Sequence, residues 1–316
     1  PTKAKIYYHD IGDYLKREEK LAKLVDYSTI HNSRLKLDRI HPNESGDWIN
    51  QRNDAYETFI PVGEKKKDSQ SNTFFVPYYS NGLKTQRDAW CYNSNKHLLK
   101  SNIQGFLNFY NSERTRFQKV LEVDPKAKVK SSLKYSEKQI SWTRALEWDI
   151  GKNKEILLNM GTIRPTQYRP FFKQFLYFSK SLNEMIYQIP KLFPKSETDN
   201  LVICVPAPGG KNDFSVIVAD SIPDLHFNGD SQCFPLYYFE ESESKSPNLF
   251  TNPKAKGLVM KDGITNFILK RAHDQYGKTI GKEEIFYYVY GFLHSPDYRK
   301  AFSNDLNKML PRLPLV

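Results

Sequence analysis

Apolar side chains recur at helical spacing in several parts of the chain. The clearest case lies around residues 95–120, where apolar positions follow an i, i+3, i+4 pattern. This spacing places them on one side of a helix and predicts that this side is buried. The residues on that side are Leu99, Ile103, Phe106, Leu107 and Tyr110.

Two further helices are predicted on either side of this one. Residues 13–25 carry Leu15, Leu21 and Leu24 on one apolar side. Residues 136–150 form the second candidate, which Ser136 would open as N-cap. Its inward-facing residues are Ile140, Ala145, Leu146 and Ile150.

Helical patterns return at the C-terminal end. Residues 264–277 predict a helix that ends at Gly277, a residue type favoured just after a helix, and residues 282–294 predict another. Ser295 and Pro296 then stand as N-cap and first residue of a last helix.

Between about residues 165 and 240 the helical spacing gives way to short β-branched and aromatic runs. Gly, Pro, Asn and Asp separate these runs, as is typical of strands joined by turns. The strand candidates are residues 5–8, 174–178, 200–206, 213–220 and 234–240. We therefore predict an α+β fold with a helical N-terminal part, a central, mostly antiparallel β-sheet and a helical C-terminal part.

Composition restricts the class of protein. The chain has 316 residues, 39% of them hydrophobic, which is enough for a buried core. It contains no apolar run of the roughly 20 residues that a membrane span needs and no signal-peptide pattern. Its three cysteines, Cys91, Cys204 and Cys233, form no paired motif. A cytoplasmic protein without a membrane partner is expected.

The net charge of +11 is unevenly distributed. Residues 125–195 carry 14 basic and 5 acidic side chains, whereas residues 196–250 carry 2 basic and 9 acidic ones. A polarised chain of this kind can present one positive face, which attracts polyanions such as nucleic acid. The alternative is an ordinary lysine-rich, solvated surface.

Motifs for catalysis are missing from the sequence. The Asn/Asp-Pro-Pro-Tyr/Phe tetrapeptide of amino-methyltransferases is absent. The glycine-rich segment 205–213 lacks the first glycine of a P-loop and has Asn212 where magnesium binding needs Ser or Thr. The seven histidines show no metal-binding spacing. We therefore expect no catalytic centre, cofactor site or metal site within residues 1–316.

Several segments resemble the region that follows the methyltransferase domain in type ISP restriction–modification enzymes. They occur in the order expected for that family and are spread over the whole chain. The segments are IYYHDIGDYLKREEKL (6–21), GDWINQRNDAYETFIPVG (46–63), YSNGLKTQRDAWCYN (79–93), YRPFFKQFLYFSKSLNEMIYQIPKLFP (168–194), FPLYYFE (234–240) and YVYGFLHSPDYRKAFSNDLNKMLPRLP (288–314).

The resemblance implies a function in a larger polypeptide. Enzymes of this family join a nuclease, an ATP-driven translocase, an adenine-N6 methyltransferase and a target recognition domain in one chain. The start at Pro1, without an initiator methionine, fits a piece of such a polypeptide. This piece would recognise a specific double-stranded DNA sequence. S-adenosylmethionine, ATP and magnesium would serve the parent chain, whose methyltransferase domain would be its neighbour.

The same resemblance suggests a division of the chain. Residues 1–25 would be the tail of the upstream methyltransferase domain, with the strand at 5–8 closing its sheet. Residues 26–130 would form a helical and loop-rich subdomain that ends in a linker at about 122–132. Residues 131–255 would form the β-rich recognition core, and residues 256–316 a C-terminal helical subdomain.

Candidate DNA contacts follow from charge and do not come from the family. Phosphate contacts are expected from the basic stretch, at Lys126, Lys128, Lys130, Lys134, Arg164, Arg169, Lys173 and Lys180. Arg169 has an alternative role, because an arginine before Pro-Phe often fixes a strand end by binding carbonyl groups. Lys84 and Arg87 either form a loop at the DNA or belong to a structural Arg87–Asp88 arrangement.

Base reading is expected in the loop at residues 208–213. Two glycines allow close backbone approach, Lys211 can reach guanine, and Asn212 suits adenine. A plain β-turn is the alternative, and the bases would then be read around Lys84–Arg87 or between Lys173 and Asn183.

Two choices stay open at this stage. The aromatic residues at 171, 172, 177 and 178 either stack on bases or pack in the core. The whole chain either recognises a sequence or acts as a non-sequence-specific DNA clamp or scaffold that docks the methyltransferase.

Overall fold

The computed structural model describes residues 4–64, 72–210, 213–242 and 257–315. The helices are α1 (Arg17–Tyr27), α2 (Asp88–Cys91), α3 (Lys96–Val123), α4 (Val129–Ser132), α5 (Arg144–Gly151), α6 (Ile189–Leu192), α7 (Asn266–Tyr276), α8 (Lys282–Leu293), α9 (Pro296–Ala301) and α10 (Ser303–Lys308).

The strands are β1 (Ile6–Tyr8), β2 (Asp38–Ile40), β3 (Ile60–Pro61), β4 (Ser80–Asn81), β5 (Tyr92–Asn93), β6 (Ile163–Arg169), β7 (Phe172–Tyr177), β8 (Val202–Val205), β9 (Ile217–Ala219), β10 (Ile222–Pro223), β11 (Gln232–Pro235), β12 (Tyr237–Glu241), β13 (Leu258–Asp262) and β14 (Arg312–Leu313).

The fold class is α+β, as predicted, although the strands form several sheets and not one. A central sheet has the order β4-β11-β8-β9 and is antiparallel throughout. A hairpin sheet has the order β10-β6-β7-β5, with β10 and β6 parallel. The remaining pairs are β1–β2, β12–β13 and β3–β14.

The central sheet separates two hydrophobic cores, because β8 is buried on both faces. Val202 and Cys204 point into the first core, which α3, α5 and the hairpin sheet complete. Ile203 and Val205 point into the second core, which includes α7 and α8. An uninterrupted apolar run is the pattern that such a strand needs.

The three cysteines all lie inside this structure. Cys91 is fully buried, and Cys204 and Cys233 face each other across β8 and β11 with 3.6 Å between their Sγ atoms. Burial raises the pKa of the Cys91 thiol to about 12 and that of Cys204 well above its ordinary value.

Helix α3 confirms the longest prediction, because all five residues expected on its inner side are buried. At the C-terminal end, Gly277 follows α7 with a φ of 97°, the left-handed backbone that favours glycine. Ser295 caps α9 by accepting a hydrogen bond from the Tyr298 backbone N–H, and Pro296 is its first residue.

Helix α5 is shorter than predicted. Its N-cap is Thr143, and Ser136 instead begins a separate turn. Leu146 and Ile150 are buried as expected, but Ala145 is exposed. The prediction failed because the turn after Ser136 buries Ile140 without continuing as a helix.

The N-terminal segment contains the predicted strand and helix, with different surroundings. Strand β1 pairs with β2, so that Ile6 lies opposite Ile40; its assignment to a methyltransferase sheet stays a prediction. The predicted apolar side of α1 is not buried here: Leu21 is 51% exposed and Leu24 is 58% exposed. Within the described ranges, no helix has both the length and the apolar character needed to cross a membrane.

Candidate nucleic-acid interface

The hairpin formed by β6 and β7 carries several of the predicted DNA contacts. Its strands pair from Ile163 opposite Tyr177 to Arg169 opposite Phe172, with an irregular register near Arg169. Residues 170 and 171 make the turn between the strands. Strands β5 and β10 flank the hairpin, which fixes its base against the first core.

Arg169 is held in a polar network at the side of this hairpin. Its Nη1 lies 2.6 Å from a carboxylate oxygen of Asp224, and its guanidinium stacks on the Tyr168 ring, 3.9 Å from the centroid. The buried Asp224 also accepts hydrogen bonds from the Tyr92 hydroxyl and the His226 backbone N–H. Burial raises the pKa of Asp224. Arg169 also donates to the Tyr168 carbonyl, as the structural alternative expected, but its main partner is the carboxylate of Asp224.

Arg164 is also occupied by the fold. Its Nη1 and Nη2 donate hydrogen bonds to the carbonyl groups of Phe193 and Pro194, at 2.7 and 3.0 Å. The guanidinium lies 4.7 Å from the centroid of the Phe178 ring, and burial lowers its pKa. The predicted phosphate contact is therefore not available in this conformation.

Arg87 is a core residue and only 2% exposed. Its Nη1 donates to the Leu182 carbonyl, and its Nη2 donates to the Thr143 hydroxyl at 2.8 Å. The Arg87–Asp88 pairing, one of the two alternatives from the sequence, is absent among its hydrogen bonds in the described chain. Asp88 instead accepts hydrogen bonds from Thr85 and Tyr168.

Asn183 is buried as well and closes a turn after the hairpin. Its side chain accepts a hydrogen bond from the Ser179 backbone N–H and donates to the Tyr177 carbonyl. Arg87, Arg164 and Asn183 therefore bind groups of the fold, with Arg87 and Asn183 buried and Arg164 half-buried, and their contacts with DNA stay predictions. Nothing local in the sequence identifies their partners, which are up to 95 residues away.

Three lysines near the hairpin are accessible. Lys173 forms an ion pair with Asp220, with 2.7 Å between Nζ and the carboxylate oxygen. Lys180 is exposed, and Lys84 is half-buried, with its backbone bonded to that of Met185. All three stay candidates for contact with a polyanion.

A basic surface lies where α4 packs against α5, next to α3. Its predicted members, Lys126, Lys128, Lys130 and Lys134, are all exposed. Within the described chain, no ion pair engages their ammonium groups. We call the surface formed by these four lysines with Arg144, Trp148 and Lys152 the basic shelf.

The last three members of the basic shelf were missed in the sequence. Arg144, Trp148 and Lys152 follow one another at intervals of four residues, so they share the outer side of α5. Together with Lys130 they line an open hollow of about 450 Å³, into which Glu147 also projects. Trp148 is 65% exposed, and the Lys152 Nζ lies 4.9 Å from its ring centroid.

The four aromatic residues of the hairpin region divide into two groups. Tyr177 is buried and Phe178 is half-buried against the first core, as the core-packing alternative predicted. Phe172 is half-exposed, and Phe171, in the turn, is 92% exposed. Core packing is therefore wrong for Phe171.

The predicted base-reading residues Lys211 and Asn212 lie outside the described residues. Before them, Gly209 has a φ of 79° and its N–H donates to the Asn307 carbonyl. Over the ranges given above, His, Cys, Asp and Glu side chains form no group of three that could hold a metal ion.

An α+β domain with unpaired lysines beside an exposed tryptophan has the surface of a nucleic-acid-binding module. Residues 74–316 match the model of the Type ISP C-terminal specificity domain. The chain belongs to this family. Among curated proteins, no sequence matches it significantly.

Solved structures extend the similarity to the N-terminal residues. A nuclease-deletion mutant of the Type ISP restriction-modification enzyme LlaGI, in complex with a DNA substrate mimic, is 31% identical with a TM-score of 0.79 and covers 98% of this chain. The ATP-dependent Type ISP restriction-modification enzyme LlaBIII, bound to DNA, is 30% identical with a TM-score of 0.78 and covers 99% of this chain. A DrdV–DNA complex is 30% identical with a TM-score of 0.82 and covers 99% of this chain.

These neighbours are much longer proteins. The chain spans 22% of the LlaGI chain, 19% of LlaBIII and 29% of DrdV.

Arg169 provides a test of its structural role. Changing Arg169 to Ala leaves the carboxylate of Asp224 buried without its cation, and we expect the free energy of unfolding to fall by about 2 kcal/mol. The double change Arg169→Ala with Asp224→Asn should recover part of this loss, because the uncompensated charge is gone. Urea unfolding of residues 1–316 measures both. An unchanged midpoint for Arg169→Ala would contradict the structural role.

Proposed function

We propose that this domain recognises a specific double-stranded DNA sequence for a Type ISP restriction–modification polypeptide. The observation that carries the proposal is the basic shelf: it contains four exposed lysines of one short segment whose ammonium groups form no ion pair in the described structure. A lysine without an ion-pair partner contributes most to DNA binding when it displaces a counterion from a phosphate. A paired lysine must first break its ion pair with a carboxylate. The DNA-bound state of the three structural neighbours and their family's designation as a specificity domain support it.

In this proposal the domain orients DNA and another part of the polypeptide modifies it. The basic shelf would hold the phosphate backbone, and a separate surface would read base edges. An adenine-N6 methyltransferase in the same polypeptide would use S-adenosylmethionine. Translocation and cleavage elsewhere in that polypeptide would use ATP and magnesium. Base reading by Lys211 and Asn212 stays a prediction from the sequence.

The neighbouring methyltransferase domain would cover the exposed side of α1. Leu21, Leu24 and Val25 are each more than half exposed on this helix, and Tyr7 of β1 is 54% exposed nearby in sequence. Apolar side chains clustered in this way are typical of a surface that another domain covers.

Sequence recognition is tested by changing single base pairs of the DNA. The motif is obtained by sequencing methylated DNA from cells that express the full-length polypeptide. Recognition predicts a loss of about 1–3 kcal/mol of binding free energy for each changed base pair. Fluorescence anisotropy with matched duplexes measures it. Equal affinity for the motif and for scrambled DNA would favour the non-specific clamp.

Phosphate binding by the basic shelf is tested by the salt dependence of DNA binding. Changing Lys128, Lys130 and Lys134 together to Ala should flatten the slope of log affinity against log salt by about two to three, since each phosphate contact adds roughly 0.9.

A matched control removes the same amount of charge elsewhere. Lys191, Lys261 and Lys282 each form an ion pair with Glu240 or Asp262. Their joint change to Ala should leave the slope near that of the unchanged protein. If the two triple variants flatten the slope equally, the effect belongs to net charge and the basic shelf does not hold the DNA.

The proposed contact between α1 and the methyltransferase domain is tested by placing charges on the exposed side of α1. Leu21→Glu with Leu24→Glu in the full-length polypeptide would bury two carboxylates in the interface, and we expect the thermal transition to fall by about 2 °C or more. Leu98 and Leu157 are similarly exposed and serve as the control pair. A similar shift from both pairs would rule out a specific interface at α1.

A further inference from the structure

The turn of the β6–β7 hairpin presents an aromatic side chain to solvent. Phe171 is 92% exposed and has a φ of 61°, in the left-handed region. Pro170 precedes it, and Phe172 beside it is 47% exposed. A turn with proline first and a left-handed residue second normally has glycine in that second position.

Phenylalanine is therefore disfavoured here for two independent reasons. Its backbone is strained, because a Cβ atom crowds the left-handed conformation. Its ring is exposed to water and forms no aromatic or cation–π contact with the described residues. Neither cost is offset within the described structure, which indicates that the ring contacts a partner.

The turn stands on a rigid base. Arg169 is bound to the buried Asp224, and the Tyr168 hydroxyl donates to Asp88. The Tyr168 ring packs against those of Tyr92 and Phe172, with centroids 4.6 and 6.4 Å away. Because the strand ends are fixed, the backbone that carries Phe171 is positioned before any partner arrives.

The hairpin itself has no acidic side chain that would repel a polyanionic partner. Residues 163–183 contain four basic side chains and no acidic one. The nearby carboxylates are already engaged, since Asp224 and Asp88 lie beside Arg169 and Asp220 pairs with Lys173. A protruding aromatic ring on such a hairpin can enter a slot between base pairs without bringing a carboxylate of the hairpin against the phosphates.

We propose that Phe171 is a wedge that enters a groove of the target duplex and stacks on a base that its entry unstacks. The proposal rests on the DNA recognition proposed above and assigns to the hairpin a role separate from the basic shelf. Apolar side chains that enter between base steps unstack them and bend the duplex. Because the backbone of the turn is already positioned, insertion has to order only the side chain of Phe171.

The test uses the full-length polypeptide and duplexes of its methylation motif with 2-aminopurine at each adenine position in turn. For the unchanged protein we expect fluorescence to rise at one base step other than the methylated adenine, which the methyltransferase itself would unstack. Phe171→Gly should abolish this rise and weaken binding about tenfold or more, in line with the loss of one base–aromatic stack.

Two further variants and one stability measurement complete the design. Phe171→Trp should keep the rise, because it restores an aromatic ring. Met260→Ala removes another apolar side chain, 56% exposed, from β13 and should behave as the unchanged protein. Phe171→Gly should unfold at the same temperature or higher, since glycine accepts the positive φ without strain.

The outcomes separate this inference from the proposed function. If no motif is methylated, or the unchanged protein does not prefer the motif to scrambled DNA, the proposed function fails and the wedge with it. If the motif is preferred but Phe171→Gly matches the unchanged protein in affinity and fluorescence, only the wedge is overturned. A lowered thermal transition with unchanged DNA binding would place Phe171 against another part of the polypeptide and also overturn it.

Discussion

The strand β8 has no face toward solvent, and this condition organises the rest of the molecule. Val202 and Cys204 pack into one core while Ile203 and Val205 pack into the other. Alternate side chains of a strand point to opposite faces, so a shift of one residue would exchange the two sets. Because both cores use the same strand, α3 on one side and α7 with α8 on the other have fixed positions relative to a single sheet.

The sequence predicts the elements that are long and have one dominant period. Helix α3 is correct in extent and in its buried side because 28 residues repeat one pattern. Strand β6 was missed because Pro165 and the polar residues after it are not typical of a strand. The segment forms a strand because it pairs with β7. Strands β3 and β14 contain two residues each, and Arg312 lies opposite Pro61. No local pattern can indicate such a distant partner.

The same limit applies to the predicted site residues, whose contacts with DNA stay predictions. Lys126, Lys128, Lys130 and Lys134 are exposed, as expected for lysines of a loop-rich segment. Arg87 and Arg164 carry the same charge but use their planar guanidinium groups to bind carbonyl oxygens inside the fold. Phe171 could be noticed only by reading Pro170–Phe171 as a turn in which glycine is expected. For the two arginines, the sequence does not show which distant residue the side chain contacts in the fold.

The burial of all three cysteines has a chemical consequence. Thiol reagents react with the thiolate, and burial both blocks access to Cys91, Cys204 and Cys233 and, at Cys91 and Cys204, disfavours the ionised form. The native protein is therefore inert toward maleimides while it stays folded. A single cysteine introduced at an exposed position would be the only reactive thiol of residues 1–316. This makes the domain suitable for attaching one fluorophore or spin label at a chosen place without first removing its own cysteines.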